Sequence, residues 1–243
     1  MRSLTWLSRL LVGALFIVSG LIKANDTTGF AYKLEEYFTV FGTIWLNDFA
    51  LFLAGFICIL EIILGVAVIF GSKMVQVSWL LLLMILFFTF LTFYSAYFNK
   101  VTDCGCFGDA LKLTPWQSFT KDVVLLFFIG IIFLKRRSIT IGDYRSDMLN
   151  SIVAILLVAG FSLFVINWDF PIWFAVIVLL STALIKRMLP SYSTGLVIGI
   201  SGLISFFFTW VCLEHLPMKD FRPYAEGKNI NEGMVIPPGA PLD

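Results

Sequence analysis

Two cysteines separated by a single glycine, Cys104 and Cys106, are the residues whose types and spacing could do chemistry. They lie in VTDCGCFGDALKLTPWQ (101–117), a short polar stretch of a very hydrophobic chain. A disulfide between residues two apart requires a bent backbone, which the intervening glycine permits. Because so small a ring is strained, and strained exposed disulfides exchange readily, we interpret this CGC pair as redox-active.

Two other interpretations of the CGC pair stay open. A disulfide could simply rigidify its loop, or two thiolates could form half of a metal site. A structural zinc ion needs four ligands, and the one histidine, His215, lies on a different segment. We therefore predict no metal site, and we rank the loop staple behind redox function.

Charged residues near the CGC pair would tune its thiols. Asp103 and Asp109 are close in sequence, and nearby negative charge disfavours the thiolate form. Lys100 and Lys112 offset these acids, as would the positive end of a helix that follows the loop. Cys212 could in principle resolve a mixed disulfide formed by the pair.

Glu61 is an acidic residue within a long apolar run, three residues after Cys58 on the same helix face. Burying an ionised group in a bilayer costs about 2.5–3.5 kcal/mol, so Glu61 should face the interior of a helix bundle. It could handle protons or bind a ligand there. Alternatively, it is a protonated acid bonded to a hydroxyl of the next helix, on Thr89, Thr92 or Tyr94. We expect Cys58 to be a small core residue. We also expect Glu61 to lie too deep in the bilayer to contact the CGC pair directly.

The elements that must position these residues are membrane helices. Hydrophobic residues make up 59% of the 243 and charged residues only 14%, with a mean hydropathy of +0.93, whereas soluble domains carry about 25% charged residues. The sequence predicts an all-α, polytopic membrane helical bundle of about seven spans. We place them near 4–22, 49–70, 76–98, 115–134, 150–166, 172–188 and 194–213. The first lacks a small-x-small cleavage site and should be a retained anchor.

Lysines and arginines set the expected orientation. Arg2 and Arg9 lie at the start of the first span, KRR (135–137) follows the fourth, and Lys186 and Arg187 lie at the end of the sixth. These residues share one side if seven spans alternate. We therefore expect a cytoplasmic N-terminus, a periplasmic CGC loop and C-terminal tail, and a multi-pass location in a bacterial inner (cytoplasmic) membrane. A net charge of +1 predicts no nucleic-acid partner, so membrane lipid is the first partner expected.

Local signals predict where helices begin and how closely they pack. TPWQ (114–117) predicts a capping box at the start of the fourth span, and ND (47–48) predicts a cap for the second. FAYKLEEYFTVFG (30–42) suits an interfacial helix. Small residues would permit tight helix packing, with GLVIG (195–199) as a small-xxx-small match; they are Gly13, Gly20, Gly55, Gly65, Gly195, Gly199 and Gly202.

Three segments together resemble the DoxX/MauE membrane proteins: FIVSGLIKA (16–24), LEIILGVAVIFG (60–71) and DCGCFGDALKLTPWQSFTKDVVL (103–125). The DFRPY segment (220–224) is similar to the tail of the Bacteroidota-type members. The fifth and sixth spans look like an insertion relative to that family. Those relatives also often continue beyond the RPY tail, whereas this chain stops at Asp243.

The resemblance implies a DoxX-like four-helix core with a periplasmic CGC loop. Members are regarded as redox-associated, and MauE is linked to disulfide formation in a periplasmic enzyme subunit. Carried over by position, the likeness nominates Cys104 and Cys106 as the redox pair. Their setting would be Lys23, Asp103, Asp109 and Trp116.

The expected organisation is a four-helix core at 1–137, additional spans at 138–216 and an extended periplasmic tail at 217–243. The expected function is periplasmic thiol–disulfide exchange, with a thioredoxin-like protein as partner and a membrane quinone as one electron acceptor. The alternative is a non-enzymatic scaffold of an envelope complex whose tail docks a partner protein. Phe221, Arg222 and Tyr224 would make that contact.

Overall fold

The computed structural model describes residues 2–98, 107–111, 113–189, 193–215 and 217–222, in which all regular structure is helical. The eight α-helices are α1 (Arg2–Asn25), α2 (Thr27–Val40), α3 (Ala50–Phe70), α4 (Met74–Phe98), α5 (Pro115–Lys135), α6 (Tyr144–Phe161), α7 (Phe170–Met188) and α8 (Ser193–Glu214). Short 3₁₀ segments cover Ile44–Phe49 and Gly108–Ala110, and a π-helical turn at Ser162–Ile166 extends α6.

Seven of these helices are long and apolar enough to cross a membrane, which confirms the predicted number of spans. They are α1 and α3–α8, with the 3₁₀ segment adding a turn to α3 and the π turn adding one to α6. The remaining helix, α2, covers most of the segment for which an interfacial helix was predicted. The chain is therefore a multi-pass membrane protein.

The capping predictions had opposite outcomes. At α5, the Thr114 side chain accepts from the Gln117 backbone while the Gln117 side chain accepts from the Thr114 backbone, so the predicted capping box is confirmed. The predicted cap at ND (47–48) was wrong. Both residues lie inside the 3₁₀ segment, and α3 begins at Ala50 after Phe49, which makes no side-chain capping bond. The 3₁₀ turn leads directly into α3, so no capping side chain marks the boundary.

Charged groups lie at both ends of the bundle. At one end, Arg9 of α1 donates to the carbonyl oxygens of Val68 and Ile69 at 2.9 and 2.8 Å, which satisfies two of the last carbonyls of α3. Nearby, Lys186 of α7 forms a buried ion pair with Asp147 of α6. We call this the Arg9 end, and the opposite end, where α1 finishes at Asn25, the loop end.

Small residues bring α1 and α3 into backbone contact. A Cβ added to Gly65 would lie 2.7 Å from the Gly13 carbonyl oxygen, and one added to Gly20 would lie 2.9 Å from the Cys58 carbonyl oxygen. By contrast, a Cβ added to Gly195 or Gly199 would meet no described atom within 4 Å. The glycines that allow close packing within this chain are therefore those of α1 and α3, not the GLVIG match.

We predict that Gly65→Ala lowers the free energy of unfolding by about 1–3 kcal/mol, because the new methyl group collides with backbone that cannot move independently. Gly199→Ala is the matched control. It should be neutral or stabilise by up to about 1 kcal/mol, because alanine favours a helix where there is space. Thermal unfolding of both variants in one detergent measures the difference, and equal effects would contradict the close α1–α3 contact.

Candidate functional site: a buried charge cluster at the loop end

A buried ion pair joins the last turn of α1 to α3. The Nζ atom of Lys23 lies 2.5 Å from Oε1 of Glu61, and the two side chains are only 2% and 3% exposed. Glu61 therefore faces the bundle interior, as predicted. The alternative interpretation, in which Glu61 bonds to a hydroxyl of the next helix, was wrong, because Glu61 bonds to Lys23.

The antiparallel register of α1 and α3 explains this pairing. Gly13 packs against Gly65 and Ile69. Gly20, which is two helical turns further along α1, packs against Cys58 and Ile62. In this register Glu61 also lies beside Gly20, with its Cβ atom 3.2 Å from a Cβ added there, and Lys23 follows Gly20 by three residues on α1. Glu61 is therefore near the middle of α3, whereas its partner Lys23 is in the last turn of α1.

Two aromatic rings complete the surroundings of the Lys23 ammonium group. Its Nζ atom lies 4.7 Å from the centroid of the Phe88 ring on α4 and 5.2 Å from that of Phe30 on α2. A cation at these distances is attracted by the ring faces, most strongly where water is excluded. Lys23 thus contacts three other helices: α2, α3 and α4.

A second pair of charges lies on α5. The Nζ atom of Lys121 is 2.9 Å from Oδ1 of Asp122, whose side chain is 1% exposed. The other carboxylate oxygen of Asp122 accepts from Thr92 of α4 at 3.0 Å. Thr92, one of the hydroxyls considered for Glu61, therefore bonds to Asp122 instead.

Phe107 brings the described part of the CGC loop to these charges. Its side chain is 5% exposed, and its ring lies 4.9 Å from the Lys121 ammonium and 5.6 Å from the Phe161 ring. Phe107 directly follows Cys106 in sequence. The chain thus leaves the CGC pair at a residue packed beside the charge cluster.

A small cavity, which we call the chamber, lies between the two charged pairs. Its volume is about 20 Å³, and its lining includes Lys23, Glu61, Lys121, Asp122 and Phe107. Oε2 of Glu61 is buried and has no hydrogen-bond partner among the described residues. The chamber therefore combines two carboxylates, two ammonium groups and one unsatisfied acceptor.

Several predicted site residues lie outside the described residues: Cys104, Cys106, Asp103 and Tyr224, together with the side chain of Asp109. Trp116 is described and is 55% exposed, with its ring edge-on to Phe119 at 6.0 Å. Cys58 and Cys212 are free thiols buried among other side chains. Cys58 belongs to the hydrophobic core, as expected.

The segment at 217–222, which we call the strap, lies over the loop end. Asn25 donates to the Lys219 carbonyl oxygen at 2.8 Å and accepts from its backbone amide at 3.3 Å. The Phe221 ring packs edge-on against Trp168 at 5.7 Å, and Arg222 forms an ion pair with Asp220 at 2.7 Å. The beginning of the predicted extended tail is thus bound to its own membrane domain.

The strap also lines a second cavity of about 60 Å³, which we call the outer pocket. Lys23 lines both this pocket and the chamber, and Asn25, Lys33 and Lys219 also contribute to the outer pocket. The two cavities therefore share Lys23 as a lining residue.

Sequence reasoning missed Lys121, Asp122 and Asp147, and it treated Lys186 only as a marker of orientation. The available signal was the presence of charged residues inside or beside predicted spans, since such residues are costly in a bilayer and normally face a partner. Lys186 is such a case, being 7% exposed and paired with Asp147. Helix packing decides which charged residues face each other, so spacing along a single helix could not predict these ion pairs.

Comparisons with known proteins agree with the membrane architecture. Residues 1–135, more than half of the chain, match the family described as methylamine utilisation protein MauE. A relative from Flavobacterium psychrophilum, "Protein TlpB", is 25% identical over 130 residues, which cover 51% of this chain. The match spans 35% of that relative, about a third of its length. No solved structure matches the chain.

We predict that Lys23→Met lowers the free energy of unfolding by about 3–5 kcal/mol, because it leaves the Glu61 carboxylate buried without its partner. The double variant Lys23→Met, Glu61→Leu should recover most of that loss, since an apolar pair of similar size removes both desolvation costs. Chemical unfolding in detergent measures both. A double variant no more stable than Lys23→Met would contradict a coupled pair.

Proposed function

Because the chain belongs to the MauE family of membrane proteins, we propose that it takes part in thiol–disulfide exchange through Cys104 and Cys106. The observation that carries the proposal is the position of Phe107, which follows the CGC pair and is buried beside the charge cluster. A loop held in this way presents its cysteines from a fixed attachment point. The proposal also includes a DoxX-like arrangement of the four-helix core.

The exchange reaction balances with two cysteines. A thiolate of a client dithiol attacks one sulfur of the Cys104–Cys106 disulfide, and the resulting mixed disulfide is broken by the client's second thiolate. The client leaves as a disulfide, while the CGC pair has gained two electrons and two protons as a dithiol. A thioredoxin-like domain is a suitable client because its two active cysteines are exposed and close together.

Positive charge near the loop favours this chemistry. Thiolates, not thiols, are the reacting species, and a neighbouring cation stabilises them. The Lys121 ammonium lies against the Phe107 ring and provides such a cation, although it also pairs with Asp122. The family resemblance nominates Lys23, Asp109 and Trp116 as the surroundings of the CGC pair. In this proposal they would anchor the loop and adjust the thiolate fraction of its cysteines.

The reduced CGC pair must pass its two electrons to an acceptor, and a membrane quinone or another protein would serve. The chamber, at about 20 Å³, is too small for a quinone ring, so a quinone would bind elsewhere. The proposal places the loop end in the periplasm and the Arg9 end in the cytoplasm. It therefore places the protein in a bacterial inner membrane, in accord with the lysines and arginines near the Arg9 end.

A second candidate function is a non-enzymatic scaffold, and the strap favours it. The Asn25 and Lys219 contacts fix the start of the tail at the loop end, from which a following segment could dock an envelope protein. Phe221 already packs on Trp168, so Arg222 and Tyr224 are the better candidates for partner contact. In this account a CGC disulfide would only rigidify its loop.

We predict that replacing both Cys104 and Cys106 by serine makes reduced or wrongly paired client thiols accumulate several-fold in the periplasm. Cys58→Ala is the matched control, since its thiol is 0% exposed in the hydrophobic core and its removal should leave client thiols unchanged. Maleimide labelling of client proteins after acid quenching measures their redox state. Unchanged client thiols in the double serine variant, with normal protein levels, would reject thiol–disulfide exchange and favour the scaffold.

A further inference from the structure

A third cavity, which we call the basic pocket, lies at the Arg9 end between the start of α1 and the end of α5. Its volume is about 530 Å³, within the range of about 300–1,000 Å³ that is typical of ligand pockets. Its lining comes from α1, α5 and the connection between α5 and α6, and it includes Thr5, Trp6, Arg9, Lys135, Ser138 and Thr140.

The described lining of the basic pocket carries positive charge and hydroxyl groups but no carboxylate. Arg9 and Lys135 supply the charge, and Thr5, Ser138 and Thr140 supply the hydroxyls. Guanidinium and ammonium groups form short, strong hydrogen bonds to phosphate oxygens, and hydroxyl groups donate to oxygen acceptors as well. The chemistry of the lining therefore suits a phosphate-bearing anion.

Acidic residues at the Arg9 end are engaged by other groups. Asp143 accepts from the Ser146 backbone amide at the start of α6, and Asp147 forms its buried ion pair with Lys186. Within the described residues, no ion pair involves Lys135. The positive charge of Lys135 is therefore available to a ligand.

The α1 wall of the basic pocket is fixed before any ligand binds. Nε and Nη2 of Arg9 donate to the last carbonyls of α3, which leaves Nη1 without a hydrogen-bond partner in the described part of the chain. One turn earlier, Nε1 of Trp6 donates to Oδ1 of Asn150 on α6 at 2.8 Å. Side chains that are already ordered lose little conformational entropy when a ligand arrives.

The position of the basic pocket favours a lipid over a dissolved anion. The pocket lies at the ends of two membrane spans, and Lys135 is the last residue of α5. Leu134, next to it in sequence, is 78% exposed, and Leu4 and Leu7 beside the α1 lining residues are exposed as well. Trp6 is a residue type that is enriched at membrane interfaces. Phosphate ligands and apolar surface for acyl chains thus occur together.

We propose that the basic pocket binds the headgroup of an anionic phospholipid with one phosphodiester, such as phosphatidylglycerol. Arg9 through Nη1 and Lys135 through its ammonium group bind the phosphate oxygens, and the hydroxyl groups of the pocket bind the glycerol. Basic pockets between membrane helices are typical sites for anionic headgroups. The site is at the opposite end of the bundle from the strap and Phe107, and it does not depend on the proposed thiol exchange.

Native mass spectrometry of the delipidated full chain in detergent, titrated with phosphatidylglycerol, tests the site. Phosphatidylglycerol should bind more tightly than phosphatidylcholine, whose headgroup has no net charge. Lys135→Gln should weaken phosphatidylglycerol binding about fivefold, the loss expected for one lysine near an anionic headgroup, and Lys135→Arg should retain it. Lys73→Gln is the matched control, because it removes an exposed positive charge from the turn after α3, outside the described lining.

Equal phosphatidylglycerol binding by the wild-type chain and Lys135→Gln would overturn the proposal. An equal loss in Lys73→Gln would also overturn it, because the attraction would then come from surface charge in general. Glycerol 3-phosphate tests the source of the phosphate, and binding as tight as that of phosphatidylglycerol would assign the pocket to a dissolved ester and reject the lipid.

Thermal unfolding separates lost binding from misfolding. Without lipid, the wild-type chain and Lys135→Gln should unfold at the same temperature, since Lys135 makes no ion pair with a described residue. Added phosphatidylglycerol should raise the unfolding temperature of the wild-type chain more than that of Lys135→Gln, because a ligand stabilises the folded state that binds it. An equal rise in both proteins would contradict a site at Lys135.

Discussion

The ion pair between Lys23 and Glu61 is the interaction on which the loop end of the bundle depends. Two opposite charges that are 2% and 3% exposed are stable only when each has the other, since either one alone would be a desolvated charge. The pair joins α1 to α3, and the rings around Lys23 extend the contact to α2 and α4. The charges can meet only because glycines let α1 and α3 approach closely along their length.

Buried charges also define the opposite end of the bundle. Arg9 satisfies carbonyl oxygens at the end of α3, and Lys186 pairs with Asp147 between α6 and α7. The same two helices, α1 and α3, are therefore linked by polar contacts at both ends and by glycine contacts between them. Such contacts specify one register where apolar surface alone would allow several, because a shifted register would leave charges unpaired. A fixed register in turn places Lys23 and Glu61 in the cavity that Phe107 also lines.

The sequence predicts much of this fold because membrane helices carry their own signals. Long apolar runs predicted the seven spans, and Thr114 with Gln117 predicted the start of α5 through contacts within four residues. The partner of Glu61 was not predictable in the same way, since it lies 38 residues away on another helix. Hydropathy predicted that Glu61 faces inward, but only the α1–α3 register determines that it meets Lys23. The Lys121–Asp122 pair was overlooked for a related reason, as its significance comes from Thr92 and Phe107 on other segments.

The thiol state of Cys104 and Cys106 in native membranes tests the central claim most directly. Cells with respiration running, and then blocked, would be acid-quenched and labelled with a mass-tagged maleimide that counts free thiols. Thiol–disulfide exchange predicts that the CGC pair shifts between disulfide and dithiol as respiration changes. A pair that stays a disulfide under both conditions would contradict the account and identify the bond as a staple of its loop.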